Sequence, residues 1–182
     1  DASRRLRTMP GKLRDVALRR IARHIREART EIQAANAGDL ERARADRIPQ
    51  PLISRLSLSD AKMKTIDASL QDVAGAPDPL NQVQVARQLD DDLILTRVTV
   101  PIGVIGVIFE SRPDALVQIA SLCIKSGNAA ILKGGSEASA SNQALFDCIV
   151  AALAATDSSF KGALHLATSR YQIDDLLRMD DL

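Results

Sequence analysis

One short stretch of the chain has the makings of a ligand-holding turn: AILKGGSEASASNQAL, residues 130–145. An apolar run ends in Lys133, and Gly134, Gly135 and Ser136 follow before a helical pattern begins. Two glycines let backbone approach a ligand closely. The lysine supplies a positive charge and the serine a hydroxyl. A helix starting just beyond offers free N–H groups and the positive end of its dipole. Such a turn suits a phosphate or the ribose of a nucleotide. It is neither a GxGxxG nor a GxxxxGK[ST] motif, and a Gly-Gly turn also serves as a plain strand-to-helix connection. FESRPDA, residues 109–115, is the second candidate. There Arg112, beside Pro113, either clamps a carboxylate or phosphate through two N–H groups or pairs with Glu110 to fix the turn.

Both stretches sit at predicted strand ends. Residues 89–111 are rich in β-branched types and read as two strands, with a turn at 101–103. Pro113 opens a helix whose inner face is Leu116, Ile119, Ala120, Cys123 and Ile124, and Ser-Gly-Asn at 126–128 ends it. Residues 129–133 form a short buried strand. Residues 136–155 form a helix with Leu145, Ile149, Ala152 and Leu153 inward. A strand follows at 162–168 and a helix at 171–179. From residue 104 the order is β-α-β-α-β-α, which predicts a parallel sheet with right-handed crossovers. In such sheets ligands bind beyond the C-terminal strand ends.

The first 75 residues read as helical. Residues 10–35 predict one long amphipathic helix with Leu13, Val16, Ala17, Ile21, Ile25, Ala28 and Ile32 on one face. Arg14, Arg19, Arg23, Arg26 and Arg29 lie mostly off it. Asp15, Glu27 and Glu31 are interleaved with these arginines, which favours a solvated face over a nucleic-acid surface. Residues 36–46 read as a turn and a short helical piece. Ser59 or Asp60 caps a further helix carrying Met63, Ile66, Leu70 and Val73, stopped by Gly75. APDPLNQ, 76–82, is the expected linker. The organisation expected is a helical region, 1–82, followed by a parallel βαβ Rossmann-like unit, 83–182: an α/β fold.

Composition narrows the function classes. The chain has 182 residues, 46% apolar but only 2% aromatic, so its core is aliphatic. A net charge of +1 argues for neither nucleic acid nor a membrane surface as partner. No run of about 18 apolar residues predicts a membrane span, and the basic start lacks the apolar stretch of a secretory signal. Two cysteines and two histidines make no convincing metal site or disulfide framework, so a cytoplasmic setting is the default. The first residue is Asp rather than Met, which suggests a cut chain.

VPIGVIGVIFESRPDALVQIASLCIKSGNAAILKGGSEASASN resembles the matching segment of the glutamate-5-semialdehyde dehydrogenases, or gamma-glutamyl phosphate reductases, of the aldehyde dehydrogenase superfamily. ALRRIARHIREARTEIQAANAGDLERAR, LDDDLILTRVTVPIG and ATSRYQIDDLLRMDDL extend the resemblance over essentially the whole chain. It implies an NADP(H)-dependent, homo-oligomeric enzyme that reduces gamma-glutamyl phosphate to glutamate 5-semialdehyde and phosphate on the way to proline. A cysteine thiolate would displace phosphate, and hydride from NADPH would release the aldehyde. Lys133 matches the superfamily lysine that meets the adenosine ribose or its 2′-phosphate, with Gly134, Gly135, Ser136 and Glu137 completing the turn. Many relatives in the superfamily place a ribose-holding glutamate three residues after the lysine. Here Ser136 stands there and Glu137 comes one later, which suits a 2′-phosphate. ESRPDA replaces the superfamily's tryptophan-asparagine turn, so no oxyanion-holding asparagine carries over. Arg112 is assigned as a substrate-anion contact.

The resemblance also implies a catalytic cysteine beyond residue 182, so the catalytic domain would be absent and the chain would be the N-terminal part of the enzyme. Cys123 and Cys148 lie on helix faces far from any activating group and read as core residues. His24 reads as solvated and His165 as a core histidine. The competing reading is a non-catalytic nucleotide- or anion-binding module.

Overall fold

The computed structural model describes residues 1–169 and Arg178. Among them lie seven α-helices and five strands. The helices are α1 (Ala2–Thr8), α2 (Gly11–Glu27), α3 (Arg29–Ala45), α4 (Gln50–Leu56), α5 (Asp60–Gly75), α6 (Pro113–Lys125) and α7 (Ser139–Thr156). The strands are β1 (Val83–Asp90), β2 (Leu93–Val98), β3 (Val104–Ile108), β4 (Ala129–Lys133) and β5 (Leu164–Leu166). The helix expected at 171–179 lies outside the described residues except for Arg178.

Strands β3, β4 and β5 form a parallel sheet in that order, as the β-α-β-α-β pattern predicts. Helices α6 and α7 make the two crossovers. Leu116, Ala120 and Ile124 of α6 join Leu145, Ile149 and Ala152 of α7 in one core. That core also takes in Ala17, Leu18, Ile21 and Ile25 of α2 and Met63, Ile66 and Leu70 of α5. Thus the helical region and the sheet share one apolar interior. By length and hydropathy 136–156 is apolar enough to span a membrane, but its inward residues pack in this core.

Several sequence expectations change. The helix expected over 10–35 breaks at Ala28 (φ −88°, ψ 12°), and α3 then runs straight through the turn expected near 36. Val16 is exposed, while Leu18, Ala22 and Arg14 are buried. Helices α1 and α4 carry too few apolar positions for a periodic signal. The two strands expected over 89–111 are β2 and β3, and a further strand not expected from the sequence, β1, pairs antiparallel with β2 in a hairpin over 83–98. His165 is exposed, because alternate residues of β5 face opposite sides of the sheet.

Arg14 also explains why 76–82 is not a slack linker. Its side chain is 2% exposed and donates from Nη2 to both Asp78 carboxylate oxygens, at 2.9 and 2.7 Å. From Nη1 it donates to the Lys125 carbonyl at 2.7 Å. Lys125 Nζ in turn donates to Asp15 and to the Ala76 carbonyl, both at 2.6 Å. A buried charge is tolerated only when paired, and both terminal nitrogens of Arg14 are. The network pins the connection to α2 and to the end of α6.

Candidate functional site

The parallel register sets Ile108 beside Lys133, and the Phe109 N–H donates to the Lys133 carbonyl at 3.0 Å. The two turns singled out in the sequence therefore leave the sheet side by side. Between them lies an open cleft of about 560 Å³ lined by Phe109, Glu110, Ser111, Lys133, Gly134, Gly135, Ser136 and Glu137, with Leu52 from α4. That volume falls within the usual range of small-molecule sites. All five residues assigned to the cofactor line it. Arg112 does not. Its guanidinium pairs with Asp114 at 3.2 Å, not with Glu110, and Lys62 holds the same carboxylate at 3.3 Å.

Both glycines are closely approached by neighbouring side chains. A β-carbon on Gly134 would sit 2.2 Å from Asn142 Nδ2 and 3.1 Å from the Phe109 ring. One on Gly135 would sit 2.1 Å from a Glu137 carboxylate oxygen. Lys133 Nζ donates to the Gly134 carbonyl at 2.5 Å, so its charge stays over the turn. Glu137 Oε1 accepts from the Ser111 N–H at 2.9 Å and the Ser111 hydroxyl at 2.5 Å. Burial works to raise the Glu137 carboxyl. The Ser111 hydroxyl, the backbone N–H groups of Glu137 and Ser111, and the Lys133 charge outweigh it and hold the carboxyl below its ordinary value.

The helix terminus after the turn departs from expectation. A short 3-10 turn, Ser136–Ala138, intervenes before α7. The N–H groups of Ala140 and Ser141 are already taken by Asp39 of α3, at 3.3 and 2.7 Å, and the Ser141 hydroxyl donates to the same carboxylate at 2.6 Å. A carboxylate there satisfies the helix dipole as a phosphate would. Asn36, also buried, donates to Ser141 Oγ and to the Leu56 carbonyl and accepts from the Leu58 N–H. Ala43, Ile53 and Leu56 pack on Ala138 from the same side. Sequence reading missed Asp39, Asn36 and Ser111. Asn36 and Asp39, three apart on one helix face, are the signal that was present.

No described residue supplies an activated nucleophile to this cleft. Burial pushes the Cys123 thiol up. Cys148, half-buried, is pushed up by burial and by the charges of Glu31 and Asp147. Among the described residues no three His, Cys, Asp or Glu side chains gather as metal ligands.

A parallel sheet with two helical crossovers and helices packed across it is the fold shared with solved aldehyde dehydrogenases. Succinic semialdehyde dehydrogenase from Streptococcus pyogenes, solved with NADP+, superposes on 98% of this chain with a TM-score of 0.68 at 14% identity, a likeness of fold alone. The particular relatives are gamma-glutamyl phosphate reductases. That of Thermotoga maritima superposes with a TM-score of 0.92 at 34% identity, covering 98% of this chain and 43% of its own. That of Synechococcus sp. strain CC9902 is 48% identical over 170 residues, 93% of this chain and 39% of its own. The chain thus spans about two fifths of the length of these relatives. No family model matches it.

Proposed function

We propose that this chain is the cofactor-holding part of a gamma-glutamyl phosphate reductase, an enzyme that reduces gamma-glutamyl phosphate to glutamate 5-semialdehyde and phosphate. The observation that carries the reading is the cleft walled by Lys133, Gly134, Gly135 and Ser136 at the C-terminal strand ends. In this reading Lys133 holds the 2′-phosphate of NADP(H), and Ser136 leaves that phosphate room and no opposing charge. The residues present fit the group. Lys133 and Ser136 line the cleft, and behind Gly134 the buried Asn142 Oδ1 lacks a hydrogen-bond partner. When bound, NADPH would supply a hydride. Arg112 is kept as a contact to the substrate anion through the part of its guanidinium not engaged by Asp114. The thiol nucleophile is assigned outside Cys123 and Cys148, so the chain by itself binds the cofactor without turning it over.

Calorimetric titration with NADPH and with NADH tests this. Tighter binding of NADPH is expected, with a loss of about tenfold in Lys133→Ala, the size of one charge-assisted contact. Equal binding of the two dinucleotides, or an unaffected Lys133→Ala, would defeat the assignment.

A further inference from the structure

Glu137 has two possible tasks in such a site. It stands next to the position expected to meet ribose hydroxyls, and it also reaches across to Ser111. Three observations converge on the second. Both polar hydrogens of Ser111, backbone and hydroxyl, are donated to the one oxygen Glu137 Oε1. Ser111 is buried and held at φ 27°, a backbone region that non-glycine residues rarely adopt. Gly135 vacates the space that the Glu137 carboxylate fills, with a would-be β-carbon 2.1 to 2.5 Å from three of its atoms. A strained serine, a glycine whose open side the carboxylate fills and the folded-back carboxylate itself are three features of one contact.

We infer that Glu137 is a positioning residue that clamps the nucleotide-binding turn to the ESRP turn, rather than a ligand of the ribose; this rests on the cofactor reading above. The clamp ties the segment after β4 to the segment after β3, the two walls of the cleft. It presents Lys133 and Ser136 in one fixed arrangement, which lowers the ordering cost of binding. With its carboxylate turned to Ser111, Glu137 does not discriminate between NADPH and NADH. Discrimination falls to Lys133 and to the uncharged Ser136 beside it.

The test is a fluorescence titration of the intact protein with NADPH and with NADH, in the unaltered form and in Ser111→Ala, Glu137→Gln and the double variant. Each single change is expected to weaken both dinucleotides alike by about tenfold, the worth of a hydrogen bond to a charged group. The double variant is expected to be no weaker than the weaker single within about twofold, because both changes act on the same contact. Ser111→Gly removes the hydroxyl while freeing the strained backbone, so its affinity loss does not depend on misfolding. It is expected to match Ser111→Ala. A ribose-binding Glu137 would give the opposite pattern: Glu137→Gln weakening NADH more than NADPH, and both Ser111 variants binding like the unaltered protein. That result overturns the clamp. Failure of the unaltered protein to bind either dinucleotide overturns the cofactor reading itself, and is recognised because no substitution is involved.

Discussion

The β1–β2 hairpin and the central strand β4 both carry apolar residues yet end in opposite surroundings. In β4, Ala129, Ala130 and Leu132 are buried under α6 and α7. In the hairpin every residue is exposed, including Val83, Leu89, Leu93, Ile94 and Leu95. The difference is in what covers them. The sheet carries its own crossover helices, whereas among the described residues nothing packs over the hairpin. A lone two-stranded hairpin is marginal in water, and its edges offer unpaired backbone groups to another strand. β-Branched content therefore identifies a strand without saying who buries it. The sheet belongs to the folding unit by its packing, and the hairpin projects from it.

If that contrast is correct, stability should reside in the network that joins α2 to the end of α6 and to the 76–82 connection. Arg14→Met keeps most of the side chain's volume but takes from Asp78 its ion-pair partner and from the Lys125 carbonyl its side-chain donor. Breaking a buried pair costs about 3–5 kcal/mol. Asp78 retains some contact with water, so the lower end, about 3 kcal/mol, is expected in urea unfolding. A loss below about 1 kcal/mol would place 76–82 outside the folding unit, as a slack linker.

Asp39 offers a finer test of the same interior. Asp39→Ala removes the acceptor for the first turn of α7 and leaves the buried Ser141 hydroxyl without its acceptor. Losing a cap costs about 1–2 kcal/mol. The same variant should weaken NADPH binding, because the turn that carries Ser136 runs directly into this terminus. Unchanged stability with unchanged binding would show that α3 does not support the cleft.

The parts of this molecule that are legible in the sequence follow from local chemistry. Pro113, the Ser59 cap and the order of apolar runs foretell α5, α6, α7 and the parallel sheet. Lys133 through Glu137 announce a turn at a strand end, and that turn lines the cleft. What stayed hidden is non-local. Nothing in α2 marks Arg14 as buried, since its partner Asp78 lies 64 residues away. Asp39 acts on a helix terminus 101 residues further along. Ser111 and Glu137 look like ordinary turn residues until the parallel register places them side by side. Even Gly135, read as room for a ligand, is occupied by its own neighbour two residues on.

The smallest expected effect bears on the hairpin, which we propose lies against a second copy of this chain. Ile94→Lys places a charge on a residue that is 67% exposed. Unfolding free energy should move by no more than about 0.5 kcal/mol, the usual scale for a surface site. Self-association is the quantity that should change, since a lysine on an open strand pair opposes edge and face pairing. Analytical ultracentrifugation of the intact protein reads it directly, with the variant shifting toward the single chain. A loss above about 1 kcal/mol at unchanged mass would mean that the hairpin is stabilised from within its own chain, and the contrast with the sheet would fail. A shift in mass at constant stability would instead assign the hairpin's apolar residues to the interface between copies, separate from the interior that holds the cleft.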